Sequence, residues 1–107
     1  MERKLLAIVA ADMVGFSRLV ENNEIEILKR QKKHFIEIIK PTVDKYTGRI
    51  IKTTGDGFLA TFESSMSAVE SSLIIQSKIN ELESMFNNDK RIWYRFGINI
   101  GDVVIDE

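Results

Sequence analysis

Three residues of this chain have the types and spacing to do chemistry. Asp12 closes the apolar run "LLAIVAA" at 5–11, and Lys52 and Asp56 flank the turn of "IIKTTGDGFLATF", residues 50–62. Two carboxylates brought close repel each other, and one pKa rises unless a cation stands between them. A divalent metal relieves that repulsion. Mg²⁺ or Mn²⁺ prefers oxygen ligands, commonly takes one or two carboxylates, and fills its shell with water and phosphate oxygens. Two such metals about 3.5–4 Å apart can hold the attacking and leaving oxygens of an in-line phosphoryl displacement. Val14, Gly15, Phe16 and Ser17 follow Asp12 and open a helix. Free amides at a helix start form an anion site, and glycine lets the backbone approach a phosphate. The set suits a nucleoside triphosphate carrying metal. Taken singly, each residue has an ordinary use: Asp12 as a helix N-cap, Asp56 as an Asp-Gly turn residue, Lys52 as a solvated strand residue. Convergence in space is what gives them weight, and that depends on the elements that position them.

The run at 5–11 is expected to be a strand, ended by Asp12 and broken by Gly15, with Ser17 capping a short helix. Ile25, Leu28, Phe35, Ile39, Val43 and Tyr46 recur at helical spacing. Asn23 and Glu26 form a variant capping box, Pro41 should kink or restart the helix, and Gly48 should end it. Residues 49–54 and 58–62 alternate around "GDG" as a hairpin. Ser64 or Ser65 starts a second helix, with Met66, Val69, Leu73, Ile79, Leu82 and Phe86 as its buried face. Residues 92–105 form a last strand with Tyr94, Phe96, Ile98 and Ile100 on one side. The order β-α-β-β-α-β with right-handed crossovers predicts an α+β, ferredoxin-like fold. Strand three then lies between strands one and two, antiparallel to both, which sets Asp12 beside Asp56.

The chain has 107 residues, 44% hydrophobic and 29% charged, with a net charge of −1. These numbers argue for one globular domain over 1–107 and against a nucleic-acid partner. No cysteine is present, which excludes disulfides and thiolate metal sites and fits a reducing compartment. No apolar run reaches the roughly 18–20 residues that span a bilayer. Asp12 cuts the N-terminal run short, so a strand is favoured over a signal peptide. A cytoplasmic location is expected, with no membrane segment. His34 lies among lysines and is expected at the surface, "KRQKK" at 29–33 is expected to be a solvated helix face, and Trp93 and Phe86 are assigned to the core or a dimer interface.

"IVAADMVGFSRLVE", "GRIIKTTGDGFLATF" and "RFGINIGDVV" together resemble the catalytic domain of class III adenylate and guanylate cyclases. The likeness is to its bacterial members, and it spans essentially the whole chain. It implies a palm core in which Asp12 and Asp56 bind two divalent metals, Mg²⁺ or Mn²⁺, with a contact from the Met13 carbonyl. It implies that Gly15, Phe16 and Ser17 cradle the triphosphate and that Lys52 reads the purine edge, favouring ATP over GTP. It also implies a homodimer with its active site at the subunit interface, Lys52 of one subunit serving metals held by the other. The reaction implied is conversion of ATP to 3′,5′-cyclic AMP and pyrophosphate.

In the family, a second purine-selecting residue, an asparagine and an arginine follow the last strand, past "GDVVIDE" here. The expectation is therefore a C-terminally truncated cyclase domain, nearly inactive alone and prone to dimerise, exchange elements or show marginal stability. Two other readings stay open. A degenerate cyclase homologue would act as a regulatory or dimerisation module. A GGDEF-type diguanylate cyclase would use the same core, but "TTGDGF" lacks its second acid. A ferredoxin-like RNA-binding domain would want exposed aromatics on its sheet, where the first strand has "LLAIVAA".

Overall fold

The computed structural model describes residues 2–105. Its elements in chain order are β1 (Glu2–Met13), α1 (Phe16–His34), a π-helical turn (Phe35–Ile39), α2 (Lys40–Lys45), β2 (Arg49–Thr53), β3 (Gly57–Phe62), α3 (Ser65–Glu83) and β4 (Tyr94–Ile105). A single 3₁₀ turn at Asn88–Lys90 precedes β4. The four strands form one antiparallel sheet in the order β2-β3-β1-β4. This is the expected ferredoxin-like order, and β1 is longer than its apolar run because Glu2–Leu5 also pair with β4.

The sheet carries helices on one face only. Val9, Ala11, Met13, Phe58, Ala60 and Phe62 meet Ile39, Val43, Ile75 and Ile79 there as the buried core. Asp12 has the opposite parity and points to the open face, as strand alternation requires. Cross-strand partners share a face, so Arg95 opposite Asp12 and Lys52 opposite Leu59 lie on that open side too.

The helices differ in phase from the reading of their apolar residues. Ile25 and Leu28 are exposed, and α1 buries Leu19, Ile27 and His34 instead. Backbone dihedrals at Asn23 leave the helical region, and the Glu26 amide and Asn23 Oδ1 close the expected capping box at 3.4 Å. Pro41 sits in the first turn of α2, where the α-helix resumes after the π turn, as expected of a helix restart. It cannot donate to the preceding turn, and the π turn just before it lets the chain continue into α2. At the end of α2, Gly48 N donates to Val43 O at 2.8 Å and Thr47 N to Asp44 O at 3.0 Å, with Thr47 left-handed at φ 58°. This is the two-bond helix terminator in which glycine usually takes the left-handed place. Gly48 is instead required because a Cβ there would strike the Phe62 ring.

On α3, Ser64 caps the start by accepting from Ser67 N at 3.2 Å. Its buried side is Ala68, Ser71, Ser72, Ile75, Ile79 and Glu83, while Met66, Val69 and Leu73 face solvent. Ile75 and Ile79 anchor that side to the sheet, with the small Ala68, Ser71 and Ser72 filling the rest of it.

Candidate active site

β1 and β3 run side by side until Asp12 meets Gly57. A side chain at position 57 would collide with the Ala11 carbonyl, so only glycine allows this approach. The hairpin turn is tied directly to β1, since Met13 N donates to Asp56 O at 2.8 Å. Thr54 closes the turn through its amide to Gly57 O at 2.8 Å and its hydroxyl to Asp56 Oδ1 at 3.3 Å. A bulge between Ile50 and Lys52 shifts the β2 register so that Lys52 pairs with Leu59.

Asp12, Asp56, Lys52, Thr54 and Arg95 line one concavity of about 520 Å³, with Ala10, Leu59 and Gly97 on its floor. Residues up to 83 positions apart are thereby collected at one end of the sheet. Arg95 was not anticipated. Its Nε donates to Asp12 Oδ1 at 3.0 Å and its Nη2 to Asp12 Oδ2 at 3.2 Å. The hydrogen bond and charge of Asp12, then the charge of Asp56, raise the Arg95 pKa. A guanidinium thus stands where two facing carboxylates call for a cation. Strand alternation puts Arg95 on the open face once the β4 register is known; its type alone carried no signal.

Gly15, in the left-handed region at φ 64° and ψ 34°, is the cap of α1, in place of Asp12 or Ser17. Ser17 lies inside the first turn. Val14 N donates to Trp93 O at 2.7 Å, so that amide is already engaged, whereas Phe16 and Ser17 contribute first-turn amides. Arg18 brings a cation to this turn, its Nη2 3.7 Å from where a Gly15 Cβ would sit.

A second polar cluster lies behind the site. His34 is 1% exposed, contrary to its expected surface place. Its Nε2 lies 3.1 Å from Glu83 Oε2 and its Nδ1 3.2 Å from the Tyr94 hydroxyl. Arg30, from the supposedly solvated "KRQKK", pairs with Glu83, donates to Lys90 O at 3.0 Å and stacks on Phe86 at 3.8 Å. Burial alone would raise the Glu83 pKa, but hydrogen bonds from His34, Arg30 and the Ile92 amide together hold it below the ordinary carboxylate value. An ionised carboxylate only accepts, so His34 Nε2 carries the proton in that contact. Burial, then the Glu83 charge, raises the Tyr94 pKa and keeps its hydroxyl protonated. Trp93 is 41% exposed, and so is not a core residue.

The donor set fits a hard divalent cation. No cluster of three or more His, Cys, Asp or Glu among the described residues could hold a metal by itself. Two carboxylates suffice for an ion that keeps water and phosphate ligands.

The antiparallel sheet gathers two acids, at the end of β1 and at the β2–β3 turn, and the comparisons supply the family. Residues 2–107 match the family model for the adenylate and guanylate cyclase catalytic domain, and the chain belongs to that family. It is 36% identical over 105 residues to "Putative adenylate cyclase 3" of Rhizobium meliloti (strain 1021), covering 98% of this chain and 18% of that protein. The adenylate/guanylate cyclase/hydrolase structure from Silicibacter pomeroyi superposes at TM-score 0.89 with 45% identity, covering all of this chain and 62% of that one. The adenylyl cyclase CyaB from P. aeruginosa gives TM-score 0.80 and 25% identity, covering 94% of this chain and 58% of that one. The chain thus spans less than two thirds of the length of these relatives. Among the described residues no helix is long and apolar enough to cross a membrane.

Proposed function

We propose that this chain is the metal- and triphosphate-binding part of a nucleotide cyclase that takes ATP to 3′,5′-cyclic AMP. The observation that carries this is the meeting of Asp12, Asp56, Lys52 and Arg95 in one concavity, which Val14, Gly15, Phe16 and Ser17 of the α1 turn do not line. In the reaction the ribose 3′-oxygen forms a bond to the α-phosphorus, the bond to pyrophosphate breaks, and the 3′-hydroxyl loses its proton.

Asp12 and Asp56 would hold two divalent ions, Mg²⁺ or Mn²⁺, with the Met13 carbonyl adding an oxygen. Such ions, when bound, acidify the 3′-hydroxyl and screen phosphate charge. Gly15, Phe16 and Ser17 would receive the β- and γ-phosphates, with Val14 shaping the turn through its bond to Trp93. Arg95 would exchange Asp12 for a phosphate oxygen, since a triphosphate offers more charge to the same fork. Lys52 would donate to a purine ring nitrogen and favour adenine.

The open face of the sheet presents Lys52 outward, and the cyclase likeness supports a homodimer in which that lysine serves the partner's site. Among the described residues Arg95 is the arginine of the concavity and no asparagine lines it, so these residues by themselves should bind nucleotide more readily than they turn it over. Each missing charge donor lowers turnover by roughly 10²–10³. Titration with non-cyclisable ATP and GTP analogues in Mn²⁺ tests the base assignment. Preference for the ATP analogue, reduced in Lys52→Ala, supports it; equal affinities in both proteins would remove Lys52 from base reading.

A further inference from the structure

We infer that Glu83 is a positioning residue for this site: its buried cluster fixes the register of β4 and thereby places Arg95 opposite Asp12. The inference deepens the proposed function and rests on it for the nucleotide readout alone.

The apolar pattern of β4 leaves its register underdetermined. Tyr94, Phe96, Ile98 and Ile100 occupy alternate positions opposite Met13, Ala11, Val9 and Ala7, with Tyr94 buried, Phe96 half-buried and Ile98 and Ile100 still exposed past the helices. A slip of one residue would turn that face outward, and the core forbids it. A slip of two keeps an apolar residue at the two positions that face the core, those of Tyr94 and Phe96. It would, however, set Gly97 or Trp93 against Asp12 in place of Arg95. Beyond Ile100, Val103 and Val104 point to opposite faces and select neither register.

Polar contacts at the strand's entry make the selection. Glu83 Oε1, at the end of α3, accepts from Ile92 N at 2.7 Å. The carboxylate is only 2% exposed and is held in turn by Arg30 and His34 of α1. His34 reaches on to the Tyr94 hydroxyl, and Gln76 of α3 donates to Tyr94 O at 3.3 Å. Trp93 O, between these anchors, receives Val14 N. Ile92, Trp93 and Tyr94 are thus each pinned by a different directional bond, and Arg95 is the next residue. A buried ion pair adds little net stability compared with apolar side chains of the same volume, and fixing a register is its best-attested use. The same pins hold Val14, so the phosphate turn and the Arg95–Asp12 contact share one anchor.

The test is a double-mutant cycle in the whole chain. The charge-free variant Arg30→Met/Glu83→Leu leaves no buried charge unpaired and removes the acceptor for Ile92 N. Affinity for a non-cyclisable ATP analogue with Mn²⁺ is measured with and without Arg95→Ala, and amide hydrogen exchange is followed by NMR. Expected is a fall of about tenfold when Arg95 is present, less than twofold when it is absent, and loss of protection at Val14. The core variant Val43→Ala, destabilised to a similar degree, should retain Val14 protection. Equal falls in both Arg95 backgrounds, with Val14 still protected, would overturn the inference. Glu83→Gln keeps an acceptor for Ile92 N and should restore Val14 protection; should the charge-free variant fail to fold, loss of that protection in Glu83→Gln overturns the inference. If the unmutated chain binds no nucleotide, the cyclase reading fails by itself. The exchange data then decide alone: selective loss around Val14 and Arg95 supports the register pin, and uniform loss across the core contradicts it.

Discussion

Arg95 grips both carboxylate oxygens of Asp12, at 3.0 and 3.2 Å, from the adjacent strand. A fork of this geometry occupies the oxygens that a metal would need. On the proposed function, metal and guanidinium would compete for Asp12, and a triphosphate that draws Arg95 away would favour metal entry. Arg95→Ala should tighten Mn²⁺ binding in the absence of nucleotide by about threefold and weaken triphosphate binding by about tenfold. Calorimetric titrations of each ligand check the two signs. The pair is solvent-exposed, so the melting temperature should hardly move.

Gly57 and Gly15 are the positions where backbone geometry makes the site. Gly57→Ala would push the hairpin from β1 just where Asp12 and Asp56 meet, and should leave little folded protein. Gly15→Ala places an L-residue at φ 64° and should cost about 1–2 kcal/mol. Urea unfolding measures both, and Gly15→Asn should cost less because asparagine tolerates that conformation.

The Glu83 cluster makes a pH prediction. The folded Glu83 pKa lies below its ordinary value of 4.5, despite burial, because His34, Arg30 and the Ile92 amide favour the ionised form. A depressed carboxyl contributes stability that is present above the unfolded value and lost as pH falls through the folded one. Unfolding free energy should thus decline from about pH 4.5 downward, and Glu83→Gln should flatten that decline. Glu83→Ala at neutral pH leaves the partly buried Arg30 without its carboxylate and should cost about 2–3 kcal/mol.

Much of this was legible in the sequence. The β-α-β-β-α-β order implies the strand order, and the order puts Asp12 against the Asp56 turn. Asn23 with Glu26 and Ser64 are local signals, read within one turn of chain. What stayed hidden depends on contacts far apart in sequence. His34 looks like a surface residue until Glu83 and Tyr94, 49 and 60 positions away, supply its partners. Met66, Val69 and Leu73 look like a core face, but the side that packs on the sheet is the one carrying Ala68, Ser72, Ile75 and Ile79. Arg95 becomes meaningful only with a register that its own strand's apolar pattern leaves open.

Those exposed side chains have a consequence. Met66, Val69 and Leu73 on α3 are 68%, 44% and 61% exposed, and Leu5 and Ile100 on the sheet are 66% and 49% exposed. Apolar surface of this kind promotes association. The chain should self-associate with rising concentration in sedimentation velocity, and Leu73→Lys with Ile100→Thr should return it to monomer.

The most direct test of the central claim is titration of the chain with a non-cyclisable ATP analogue, with and without Mn²⁺, beside Asp12→Asn and Asp56→Asn. Expected is binding that requires Mn²⁺ and that falls at least tenfold in each variant while the fold persists. Binding that ignores the metal, or that survives both substitutions, would contradict a cyclase-type metal site at Asp12 and Asp56.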